Sequence, residues 1–116
     1  MEKKQICYSF INEADVMERL GGNINLFNRL FNKYINSYKN ADGEVKELIN
    51  KKNYEDARLL AHTIKGTSAN LGITNMRQKA MELEKAIITE DVLEIEKRLR
   101  ELKEELQRIL TEINFK

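Results

Sequence analysis

The stretch Ala61-His62-Thr63-Ile64-Lys65-Gly66-Thr67-Ser68-Ala69-Asn70-Leu71-Gly72 contains the single histidine of this 116-residue chain, His62. An imidazole changes charge near neutral pH, so His62 is the natural candidate for nucleophilic or proton-transfer chemistry. Plotted at about 100° per residue, Ala57, Leu60, Ala61, Ile64, Ser68 and Leu71 share one stripe of an amphipathic helix. His62 falls outside that stripe. Arg58, Lys65, Gly66 and Ala69 adjoin it, because residues three, four and seven apart stack along one side of a helix.

Two of these neighbours suggest what the imidazole meets. A mid-helix glycine costs roughly 1 kcal/mol against alanine, and nothing at Gly66 calls for a turn. One turn after the histidine, it leaves bare backbone beside the ring, open to another protein or to a phosphoryl group. Local rules tend to break at functional sites. Lys65 supplies a point charge for an anion.

Other chemistries fare poorly. A zinc site needs more ligands than His62 and the distant Cys7 can offer, and a cysteine–histidine nucleophile pair would draw on the same two residues with nothing to support them. Lys65-Gly66 reverses the order that a Walker phosphate loop requires. Cys7, near a terminus and without a partner for an internal disulfide, reads as an ordinary small hydrophobe rather than a redox group.

The elements that must position His62 are read from caps, since the chain has no proline. A short helix from about Glu13 to Leu20, capped by Asn12, stops at Gly21-Gly22. Asn23 opens a second, with Phe27, Leu30, Phe31, Tyr34 and Tyr38 at helical spacing as core rather than an aromatic binding box. A brief helix around Glu44 to Lys51 follows. The histidine helix should run from about Tyr54, capped by Asn53, to Leu71, with Gly72 past its end. Thr74 or Asn75 should cap the next, to Thr89, which buries Met76, Ala80, Leu83 and Ile87. The last, about Asp91 to Asn114, places Val92, Ile95, Leu99, Leu102, Leu106, Ile109 and Ile113 in a heptad seam. Its alternating Glu, Lys and Arg read as a solvated face. Together these predict an all-α, antiparallel up-down four-helix bundle, with the two short helices at its ends. One domain over residues 1–116 is expected, with about the first ten residues loose.

A tight hairpin centred near Ile73 brings His62 and Glu84 level, since both lie equally far from it in sequence. Glu84 adjoins Leu83 in the core stripe, so its carboxylate can reach across the groove and accept a hydrogen bond from Nδ1–H, leaving Nε2 free. Surface exposure or a lysine pairing of Glu84 is the alternative, and Gln78 is a weaker candidate for the same job.

Ala61-His62-Thr63-Ile64-Lys65-Gly66, then Gly72 and the Leu83-Glu84 pair, resemble a histidine-containing phosphotransfer (HPt) domain over most of the chain. Ile64 stands where the family pattern usually has leucine, a conservative departure. The resemblance implies a phosphorelay intermediate: His62 accepts a phosphoryl group from an aspartate of a receiver domain and passes it to another. It implies no cofactor, any Mg²⁺ belonging to the receiver, with Lys65 offsetting phosphoryl charge, Gly66 giving clearance and Glu84 orienting the ring. The implied partners are response-regulator receiver domains or a hybrid sensor kinase. A sensor kinase's own dimerisation domain would carry a proline after its histidine motif and an attached ATP-binding domain, so a phosphoryl carrier without independent catalytic turnover is expected.

Twenty basic residues against nineteen acidic leave a formal net charge of +1, which offers no electrostatic footprint for nucleic acid or anionic membrane. The opening Met1-Glu2-Lys3-Lys4 leads into an apolar stretch too short for a signal peptide or a span, so a cytoplasmic protein is expected. A start methionine and a complete bundle favour a free-standing intermediate, and a monomer is expected. Docking should use the surface around His62, with Arg58, Leu59 and Ala69, together with Val16, Met17 and Leu20 of the first helix, for which ordinary packing of that helix onto the bundle is the alternative. The competing reading is a helical interaction or scaffold protein whose histidine does no chemistry, for which the heptad seam would serve equally well.

Overall fold

The computed structural model describes residues 8–114, and Cys7 therefore lies outside the described residues. All regular structure there is helical: α1 (Glu13–Arg19), α2 (Ile24–Tyr38), α3 (Ala41–Asn50), α4 (Tyr54–Asn70), α5 (Thr74–Thr89) and α6 (Val92–Asn114).

The polar caps fix most boundaries. Asn12, Asn23 and Asn53 accept the backbone N–H groups of Asp15, Leu26 and Asp56 through their side chains, and Asp91 does the same for Glu94 at the start of α6. α5 departs from the pattern. Neither Thr74 nor Asn75 caps it; Ile73 holds the N-cap position, fully buried and with no side-chain bond to give. The end of α4 fixes that turn instead, through Ile73 N–H on Ser68 O at 2.9 Å and Gly72 N–H on Ala69 O at 3.2 Å. Gly72 sits at φ +70°, and a Cβ there would meet Asn12 O at 2.9 Å. Asn12 N–H in turn donates to Gly72 O at 2.7 Å, so the start of α1 is seated directly on the α4–α5 turn.

α4 packs along α5, α5 along α6, and α3 touches both α4 and α6, closing a ring of contacts. The brief helix expected at one end of the bundle is thus part of its wall. α2 leads into α3 through only Lys39 and Asn40, and Lys39 keeps helical dihedrals. Tyr34 of α2 reaches α4, where its hydroxyl and that of Ser68 share a buried 2.7 Å hydrogen bond.

Phe27, Phe31 and Tyr34 are buried as their spacing predicts, and Phe10 stacks on Phe31. Of the first ten residues, expected to be loose, residues 8–10 are among those described. Phe10 is in the core, and Ser9 is clipped to α6 by two hydrogen bonds onto Glu112. Two apolar positions differ from expectation: Leu30 and Val92 are exposed, the latter because it is the first residue of α6. The α6 seam is otherwise inward, with Ile95, Leu102, Leu106 and Ile109 buried and Leu99 and Ile113 packed against the core. Among the described residues, no helix is long and apolar enough to cross a membrane.

Candidate functional site

α4 turns Ala57, Ala61, Ile64 and Ser68 into the core, and this orientation leaves His62 on the outer edge of the α4–α5 groove. The side chain of His62 is 56% exposed, whereas that of Glu84, facing it from α5, is only 10% exposed. Nδ1 of His62 lies 3.0 Å from Oε2 of Glu84. Lys65 Nζ lies 3.0 Å from the other oxygen, Oε1. Arg58 Nη1 stands off at 3.7 Å from Oε2, while its Nε and Nη2 donate to Glu55 at 3.3 and 2.8 Å.

Glu84 is therefore a nearly buried carboxylate with three basic side chains around it. Burial is the largest single influence on its pKa and acts upward. The hydrogen bonds from Lys65 and His62, with their charges, together outweigh it and hold the carboxyl below the usual carboxylate range. An ionised carboxylate only accepts hydrogen bonds, so the proton of the contact must sit on His62 Nδ1. That assignment favours the Nδ1–H tautomer. In the neutral ring, Nε2 then carries the free lone pair, on a half-exposed imidazole.

Gly66 is exposed, and a Cβ built on it would meet nothing within 4 Å. The glycine is thus not required by packing or by dihedral angle, and the open space one turn from His62 is a property of the surface itself.

The sequence places His62, Lys65, Glu84 and Arg58 in one cluster, with Gly66 on the adjoining turn, and the coordinates bring them together. Leu59 is 45% exposed beside them. Gln78 is elsewhere engaged, donating to Glu82. The first helix requires a correction: Val16 is fully buried and offers no surface to a partner. A short helix packed on a bundle must put one residue inward, and that residue is Val16; Met17 and Leu20 are only partly buried against the core.

Two groups escaped the sequence reading. Glu55 takes the hydrogen bonds of Arg58, a pairing that three-residue helical spacing allows. Arg19 reaches from α1 to the end of α4, donating to Asn70 O at 3.1 Å and Ala69 O at 2.7 Å while paired with Asp15. It satisfies carbonyls that the helix end leaves open and holds α1 beside Ala69. Nothing in the spacing of Arg19 foretells a contact so distant in sequence.

The α4–α5 hairpin thus presents one half-exposed imidazole, backed by a carboxylate and flanked by cations. The family model described as the Hpt domain matches residues 29–112, from within α2 to near the end of α6, and the chain belongs to that family. Hpt domains carry phosphoryl groups on histidine in phosphorelays, working with receiver domains and kinases. No curated protein and no solved structure matches the chain.

Proposed function

We propose that this protein is a phosphorelay intermediate that accepts a phosphoryl group on Nε2 of His62 from the aspartate of one receiver domain and passes it to another. The observation that carries this reading is the 3.0 Å contact of His62 Nδ1 with Glu84 Oε2, because it leaves the opposite nitrogen as the nucleophile.

The step balances simply. The Nε2 lone pair attacks phosphorus in line, the bond from phosphorus to the aspartyl oxygen breaks, and the carboxylate of the receiver leaves with the electron pair. As Nε2 gives up its lone pair, the ring that still holds a proton on Nδ1 acquires imidazolium character. Glu84, ionised and within hydrogen-bond distance, stabilises that charge where it develops. Lys65 sits on the same helix face and serves as the counter-charge to the phosphoryl oxygens, exchanging part of its hold on Glu84 Oε1. The bare backbone at Gly66 admits the incoming receiver. Acyl phosphate and phosphoramidate are both activated, so the transfer is reversible and the protein's contribution is position and charge.

We read the scaffold as an antiparallel up-down four-helix bundle and the protein as a cytoplasmic monomer that needs no cofactor of its own. Leu59, Arg58 and Ala69, with the partly exposed Met17 and Leu20, form the docking surface. The test is to mix the protein with phosphorylated receiver domains and follow its intact mass, with a His62→Gln variant in parallel. Gain of one acid-labile phosphoryl group by the unsubstituted chain alone supports the reading. Absence of transfer from every receiver to a folded protein refutes it.

A further inference from the structure

Arg58 touches the Glu84 cluster without committing its hydrogen bonds to it. Its Nε and Nη2 are held by Glu55, and its Nη1 stops 3.7 Å short of Glu84 Oε2, beyond hydrogen-bond length. That oxygen is the one that accepts from His62 Nδ1, while Lys65 occupies Oε1. Among the described residues, the charged side chains in ion-pair contact with Glu84 are Arg58 and Lys65 from α4, besides His62 itself, and Glu55 enters through Arg58.

The geometry points to Arg58 as a positioning residue that competes with His62 for Oε2 of Glu84, and to Glu55 as the group that holds this competition in check. The consequence for phosphoryl transfer rests on reading His62 as the acceptor; the competition itself does not. An Arg fork released from Glu55 has a second carboxylate within a small side-chain movement, and a charge-assisted bond to Oε2 would weaken the one that His62 donates to the same atom. With Arg58 removed, that oxygen is left to the imidazole.

The arrangement makes the tautomer of His62 adjustable from outside. Glu55 is 69% exposed and Arg58 30% exposed, so the pair lies where a docking partner can reach it. A basic group that captured Glu55 would hand Arg58 to Glu84 and loosen the ring. Solvent screening keeps the effect modest, on the order of twofold in a population ratio.

His62 is the only histidine, so its ring nitrogens are identified without ambiguity in a ¹⁵N spectrum. At a pH where the ring is neutral, their shifts report the ratio of the Nδ1–H to the Nε2–H form. In the full chain, Arg58→Gln is expected to raise that ratio about twofold and Glu55→Gln to lower it about twofold. Opposite directions are the signature, since general loosening of the fold would move both variants the same way. Thermal melts establish that both are folded. Folded variants with unchanged ratios, or with ratios shifted in one common direction, would overturn the proposal. Intact-mass transfer assays on the same samples read the carrier role separately: opposite tautomer shifts without any phosphoryl uptake would refute that role and leave this coupling standing.

Discussion

His62 and Glu84 face each other across the α4–α5 groove at 3.0 Å, although one side chain is 56% exposed and the other 10% exposed. The asymmetry suits the roles proposed for them. A nucleophile must be reached by its partner, whereas the group that orients it works best where solvent does not screen it. The hairpin turn at Gly72 and Ile73 creates the pairing, because it fixes which residues of the two helices lie level.

Glu84→Gln preserves the shape of the side chain and removes its charge. An amide can still accept from Nδ1–H, but more weakly, and its NH₂ can instead donate and favour the other tautomer. A charge-assisted hydrogen bond contributes about 1.5–3 kcal/mol, so phosphoryl uptake by this variant should slow about 10- to 100-fold with the bundle intact. Rapid-quench transfer from a phosphorylated receiver measures it. An unchanged rate would remove Glu84 from the mechanism.

Glu84 also confers a pH dependence of stability with a definite sign. Its carboxyl titrates lower in the folded protein than in the unfolded chain, so the unfolded state binds the proton more readily. The stabilisation is fully present above the unfolded-state value, about 4.3, and is lost as pH falls through the lower folded-state value. Denaturant melts taken from neutral pH down to about 3 should show Glu84→Gln losing less stability than the unsubstituted chain over that acid window. Parallel curves would contradict the assignment, since Glu47, Glu55 and Glu101, also held low by basic neighbours, are common to both proteins.

The hydrogen bond between Tyr34 and Ser68 ties α2 to the helix that carries His62, and burial pushes the tyrosine hydroxyl pKa well above its usual value despite the serine contact. Tyr34→Phe leaves the fully buried Ser68 hydroxyl without its partner, a loss of about 1–3 kcal/mol. Ser68→Ala does the same to the tyrosine. Replacing both should cost less than the sum of the two, which a double-mutant cycle by urea denaturation measures. Strict additivity would mean that the bond contributes nothing of its own.

Much of this arrangement is legible in the residues. Asn12, Asn23 and Asn53 announce helix starts because their side chains accept from the first turn, and the structure uses all three. Glu84 is legible because a short turn converts sequence distance into level. Illegible features depend on contacts between distant segments. Ile73 replaces a polar cap because the Gly72 turn already bonds the chain back to α4, and Arg19 finds carbonyls some fifty positions away. Val16 reads equally as docking surface or as packing because the seven residues of α1 span too few turns for periodicity to separate an inward position from its neighbours. The polar cluster lies between these cases: each of its members is visible on a helix face, but which carboxylate each cation chooses is a matter of ångströms.

Gly66→Ala separates stability from function most directly. The position is helical and exposed, with nothing within 4 Å of a Cβ, so alanine meets no steric objection and removes the entropic disadvantage of glycine in a helix. Stability should rise by about 0.5–1 kcal/mol, or a few degrees in Tm, read by a thermal melt. If the bare backbone there serves the approach of a receiver, transfer should slow in the same variant, and Gly66→Leu, which fills the space, should lose nearly all of it while staying folded. Loss of transfer in both variants would make that clearance the reason for a glycine that weakens its own helix without any packing need. Full activity in the leucine variant would leave Gly66 unexplained and place the receiver on another side of the ring.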